Sequence, residues 1–340
     1  MKLRRALPFL IPVACAASVL ACGSRTGLLV PDDGDNSGED VFVPADAFGG
    51  ADAPDAEVED ALPPIDVTRA PPDAPNPCPD AGSTLIYVIT EQNTLMSFYP
   101  PTGTFTAIGN IDCPVTITPL GVPTPFSMAV NESGIAYVVF NDGEVFRVST
   151  ANASCRPTGF VMEQGFPSQF GMGFSRDPNL LTETLYVAGD PSDLQDASVS
   201  LPAVLGTLDL STFEVQSLGL FRPSIYGPEL TGTGAGDLFA FYGVNQDNEN
   251  EGPTAIGQID KASGQVVAES PLPGVVQGSG WAFGFWGGDF YLFTAPGPVS
   301  KVNNPSIVTR FRPADNSIVQ VAKTTETIVG AGVSTCAPGQ

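Results

Sequence analysis

The 340-residue sequence has no histidine, and its 14 lysines and arginines face 37 aspartates and glutamates. Without histidine there is no Ser-His-Asp or Cys-His machinery, and the commonest metal ligand is missing. The cysteines include no Cys-x-x-Cys pair, so a cysteine metal site would lack its usual donors. The shortage of cations leaves a formal charge of −23. Such a surface repels phosphates and anionic head groups, which excludes nucleic acid as a partner. No stretch carries a convincing helical period. What is abundant is glycine (37) and proline (33), beside a hydrophobic fraction of 42%. That balance supports a sizeable core, many turns and an extended linker.

Residues 1–22 read as a targeting segment. Lys2, Arg4 and Arg5 form a positive start, and Ala6 to Leu20 form an apolar run too short and Ala-rich to span a membrane. The run ends in Val19-Leu20-Ala21-Cys22, followed by Gly23 and Ser24. This stretch resembles a bacterial lipobox, with Val19 where leucine is usual and Leu20 one place later. The resemblance implies that the leader is cut before Cys22, that Cys22 is diacylated and that the new amino terminus is acylated. Several buried acyl chains hold a protein on a membrane stably, where one does not. Cys15 is a poorer acceptor, because it leaves only a short apolar run before it.

Residues 23–82 read as a disordered acidic tether. Prolines at 63, 64, 71, 72, 75, 77 and 79 deny it ladder hydrogen bonds, and its carboxylates repel one another. Asp33-Gly34-Asp35-Asn36-Ser37-Gly38 has the opening of a calcium loop, but Pro44 stands where the closing glutamate belongs.

From residue 83 to 340 the pattern is that of an all-β domain: short runs of alternating apolar and polar residues, punctuated by Gly, Pro, Asn and Asp. A strand with an aromatic near its start recurs at Tyr87, Tyr137, Tyr186, Phe239 and Tyr291. The recurrence is close to 50 residues each time, and each copy continues into two further strands. The later copies are preceded by a strand of small residues. Four strands per repeat of this length resemble the blades of β-propeller proteins, with no diagnostic WD or kelch motif. The first copy lacks its small-residue strand, and Ile328 to Ser334 supplies one at the far end. The expected fold is therefore a five-bladed propeller closed by the C-terminal strand, with Leu85 to Thr90 paired to Ile328–Ser334. A pair of β-sandwich domains is the alternative. The leader and acidic tether also resemble those of secreted myxobacterial lipoproteins.

Four cysteines remain in the exported part, and sequence alone leaves three disulfide connectivities open. The ring arrangement selects Cys78 with Cys336, which would staple the closure, and Cys113 with Cys155.

Candidate sites are sparse. The small-residue strands offer Met128, Met172, Thr231, Thr233, Trp281 and Phe283 but no acid, and Glu229 stands just before one of them. Trp281, Phe283 and Phe285 share one face of their strand and are the candidate ligand-facing aromatics, although packing between blades has use for the same residues. Asp247, Glu249 and Glu251 alternate before Gly252 as in a calcium loop, yet Pro253 follows and Gln258 replaces the closing glutamate. They read as a solvated insertion, and neither a metal nor a cofactor is expected. The sequence points to a binding or scaffold module in the cell envelope, lipid-anchored at the outer membrane on its periplasmic or surface face. Its ligand would be an unknown protein or glycan. A carbohydrate-active hydrolase or lyase is the alternative.

Overall fold

The recurring aromatic sets the register of the whole domain. In the computed structural model, which describes residues 61–67, 85–119, 121–162, 164–177, 182–190, 202–245, 250–297 and 304–339, each repeat aromatic pairs across strands with a small residue. The pairs are Tyr87 with Gly332, Tyr137 with Ala129, Tyr186 with Gly173, Phe239 with Thr231, and Tyr291 with Gly284. A large ring over a small cross-strand neighbour fills the space the neighbour leaves. The five rings are all buried, none more than 9% exposed.

Twenty strands form five four-stranded antiparallel sheets. The first blade is β1 (Ile86–Thr90), β2 (Thr94–Tyr99) and β3 (Thr104–Asn110). The second is β4 (Pro125–Val130), β5 (Ile135–Phe140), β6 (Val145–Ser149) and β7 (Cys155–Pro157). The third is β8 (Phe170–Arg176), β9 (Glu183–Gly189), β10 (Val204–Leu208) and β11 (Val215–Leu220). The fourth is β12 (Tyr226–Gly232), β13 (Leu238–Gly243), β14 (Thr254–Ile259) and β15 (Val266–Pro271). The fifth is β16 (Trp281–Trp286), β17 (Asp289–Thr294), β18 (Ile307–Arg312) and β19 (Ser317–Lys323). β20 (Ile328–Val333) crosses back to β1 and completes the first blade, pairing Ile86 with Val333 and Val88 with Ala331. The fold is a five-bladed β-propeller closed by its last strand.

The inner strands β20, β4, β8, β12 and β16 neighbour one another in a ring. Their glycines explain how they approach so closely. A Cβ at Gly171 or Gly173 of β8 would collide with the backbone of β12, and one at Gly330 would meet the Met128 nitrogen of β4. Five apolar clusters fill the five gaps between blades, so the core is a ring of wedges rather than one central mass. At the axis itself Ala129, Met172, Leu230, Ala331 and Val333 leave no room for a water molecule.

Residues 61–67 differ from the expected tether. Leu62 packs on the cluster between the third and fourth blades, and Ile65 and Val67 pack on that between the fourth and fifth. The Glu269 N–H of β15 donates to the Pro63 carbonyl at 2.8 Å, and Ile65 N–H faces Ser270 Oγ at 3.5 Å. The segment therefore covers an outer edge that would otherwise present unpaired amides. The remainder of the tether, the leader with Cys22, and Cys78 lie outside the described residues.

Cys113 and Cys155 are joined, with Cα atoms 5.0 Å apart, as the ring arrangement required. The bridge ties the connection after β3 to the outer strand of the second blade, which Pro157 ends after three residues. Cys336 is also disulfide-bonded. Its partner is a cysteine outside the described residues, because Cys113 and Cys155 are bonded to each other.

Candidate functional site

Inner strands all run the same way, so their starts gather at one end of the ring, here called the upper mouth. Four of the five place an aromatic at their first or second position: Phe126 on β4, Phe170 on β8, Tyr226 on β12 and Trp281 on β16. Together with Gln169, Asp190, Asn245, Gln277 and Glu229 they line a cavity of about 360 Å³. That lies at the small end of the range for ligand pockets. Among the described residues no lysine or arginine lines it.

Two backbone irregularities shape the cavity floor. β12 carries a bulge between Tyr226 and Glu229, with Gly227 at φ +54°, and β4 carries one between Pro125 and Ser127. A bulge re-aims the side chains that follow it. Here the two bulges bring Ser127 and Glu229 together across the axis, and the serine hydroxyl meets the carboxyl at 2.8 Å. Burial pushes the Glu229 carboxyl well above the usual carboxylate range, although the serine hydroxyl and the Met172 N–H partly oppose this. Through Ser127 and the Met172 N–H, Glu229 links three inner strands.

The wall above it is held by one carbonyl. Gly227 O accepts from the Trp281 indole N–H at 2.8 Å and from Gln277 Nε2 at 2.7 Å. The indole is thereby fixed in place, with its polar group committed. Gln277 is only 3% exposed.

The lower mouth, where inner strands end, has a different chemistry. Arg176 pairs with Glu132 at 3.3 Å. Glu183 accepts from the Glu132 N–H at 2.8 Å and from the Thr335 hydroxyl at 2.9 Å. Burial raises the Glu183 carboxyl to about 7; its two hydrogen bonds and Arg176 pull down, while the Glu132 charge adds to the rise. The turn after β20 lies over this end, with Thr335 O against Gly234 and Pro338 O accepting from Gly287 N–H at 2.8 Å.

The candidates from the sequence separate accordingly. Trp281 lines the upper cavity. Phe283 and Phe285 do not: both are buried in the cluster between the fourth and fifth blades, stacked near Phe241, Phe239 and Phe290. The three do share a face, but only the first reaches the mouth. Glu229 was placed before its strand and instead lies within β12. Asp247 and Glu249 lie outside the described residues, and Glu251 is exposed. Among the described residues no group of three or more acids and cysteines could hold a metal ion. Phe126, Tyr226, Asn245 and Gln277 were not foreseen. For Phe126 and Tyr226 the signal was positional, an aromatic at the start of four of the five inner strands.

No protein-family model matches the chain, and no curated protein matches it. Among solved structures it is similar to the crystal structure of the tricorn protease, at 9% identity and a TM-score of 0.34. The match covers 70% of this chain, which spans only 25% of that one. A likeness this distant carries no functional argument.

Proposed function

We propose that the protein is a lipid-anchored binding module of the cell envelope, with a propeller that holds its ligand at the upper mouth. The observation that carries the reading is the cavity there: aromatic faces and amides around a floor closed at the axis. A blind, pre-formed pocket with few polar groups suits retention of a ligand rather than passage through the ring. The lipobox resemblance at Cys22 supplies the anchor, and the −23 charge argues against nucleic acid.

A carbohydrate-active hydrolase or lyase is the second reading, favoured by one observation. Glu229 and Asp190 line the same cavity, and two carboxyl groups flanking a bond are what glycoside hydrolysis uses. Against it, Glu229 is 3% exposed and committed to Ser127. Turnover of a polysaccharide that Glu229→Gln abolishes would favour the enzyme over the binding module.

The anchor is tested by Cys22→Ala. Membrane fractionation should find the variant either released or retained with its leader uncut. A processed variant that still sediments with membranes would overturn the lipoprotein reading.

A further inference from the structure

We propose that the upper mouth is a saccharide site, in which an uncharged sugar stacks on the Trp281 ring and hydrogen-bonds Gln277. The inference rests on the mouth being the binding site and narrows the ligand to one chemical class.

Four observations lead there. The first is Gln277. Its Nε2 is spent on Gly227 O, while its Oε1 accepts no hydrogen bond among the described residues, although the side chain is almost wholly buried. Gly227 and Gly243 leave the space it occupies, since a Cβ on either would press on the Gln277 amide. An acceptor left over on the lining of a cavity is available to a ligand's hydroxyl. The second is Trp281. Its N–H donates to the same carbonyl, so what it offers a ligand is the ring face, an apolar platform suited to the C–H face of a pyranose.

The third is the charge of the lining. Among the described residues no cation lines the cavity, and the Asp190 carboxylate does, so phosphate, carboxylate and sulfate ligands find no counter-charge there. Glu229, on the same lining, is engaged by the Ser127 hydroxyl and the Met172 N–H and adds no positive charge. The Asn245 amide and the Tyr226 hydroxyl, also on the lining, make no hydrogen bond among the described residues. Hydroxyls, which donate and accept at one atom, match this set better than any group of fixed charge. The fourth is size: about 360 Å³ fits the end of a glycan rather than a folded partner's surface.

The chain has two tryptophans, Trp281 and Trp286, so Trp286→Phe leaves Trp281 as the sole indole reporter at the mouth. The detergent-solubilised full-length protein carrying Trp286→Phe would be titrated with neutral gluco-, manno-, galacto- and chito-oligosaccharides, with choline and with oligogalacturonate. Saturable indole fluorescence change and calorimetric heat with at least one neutral series is the expected result. In the wild-type background, calorimetry should find Gln277→Ala and Trp281→Ala at least tenfold weaker. Trp281→Phe, which keeps an aromatic face, should lose less than Trp281→Ala, and cooperative melting of each variant separates lost contact from lost fold.

Binding of choline or oligogalacturonate alone, dependent on Trp281, overturns the saccharide class and leaves the mouth as the binding site. Saccharide binding indifferent to both substitutions overturns the assignment to this mouth. A folded protein in which no probe moves the indole signal overturns the saccharide proposal. If a physiological partner later bound it independently of Trp281, the mouth reading would fail as well.

Discussion

The two ends of this ring are built from the same five inner strands, and they are opposites. The upper mouth is open and walled by aromatics and amides, with the buried Glu229 in its floor. The lower mouth carries Arg176, Glu132 and Glu183 and is overlain by the turn after β20. The difference originates in the backbone. Bulges sit near the starts of β4 and β12, so their side chains turn toward the axis. At the other end the registers are regular, and strand termini deliver ordinary turn and ion-pair chemistry. Position along a strand therefore decides what a residue can do here, as much as which face it occupies.

The harshest way to break the comparison is to remove what both ends share. Deleting residues 328–340 takes away β20, leaves β1 with a bare edge and opens the cluster between the fifth and first blades. Loss of cooperative thermal unfolding is expected, together with aggregation visible by light scattering. A truncated protein that melts like the full chain would mean that closure contributes little.

A second test sets one glycine at each end against the other. At Gly171, beside Glu229, any Cβ collides with the Pro228 carbonyl oxygen, so backbone must move. Gly171→Ala should cost about 3 kcal/mol in urea unfolding, as overpacking of a tight backbone approach does. Gly287, at the lower end, has φ +60° but open space around the added atom. Gly287→Ala should cost only about 1 kcal/mol, the strain of a left-handed residue. Equal costs would show that the inner strands near the upper mouth can yield.

The gentlest test uses pH. Glu183 has its folded-state value raised from 4.5 to about 7. A carboxyl of this kind contributes stability that is fully present below about 4.5 and is lost as the pH rises through about 7. The shift corresponds to roughly 3 kcal/mol at most across that window. Glu183→Gln should therefore gain on the wild type as pH rises from 4 to 8, measured by denaturant unfolding at each pH. Glu229→Gln should likewise gain on the wild type as pH rises, because burial raises the Glu229 carboxyl too. Parallel pH profiles for wild type and Glu183→Gln would refute the assignment of Glu183.

Much of this architecture was legible in the residues. The spacing of Tyr87, Tyr137, Tyr186, Phe239 and Tyr291 gave the blade count, because a ring opposite a small residue is a requirement repeated in every sheet. The spare strand at Ile328 gave the closure and the Cys113–Cys155 pairing with it. Glu229 was hidden because Gly227-Pro228 interrupts alternation, so β12 looks as if it begins at Leu230. Residues 61–67 were hidden for another reason. Two prolines with scattered apolar neighbours look like linker, and what holds Ile65 is Ser270 and its surroundings, some 205 residues away. Trp281, Phe283 and Phe285 were assigned to the correct face, but alternation says nothing about depth.

The crossing of β20 to β1 also fixes an order of events. A ribosome delivers β1 early and β20 last, so the blade whose first strand is made first is the last to be finished. Until Ile328–Val333 emerge, β1 has no partner on its inner side and the wedge between the fifth and first blades has only one wall. Pairings between such distant segments are slow to form. A chain of this design stays unlocked until Ile328–Val333 are available to β1, and its commitment to the native ring waits for that strand.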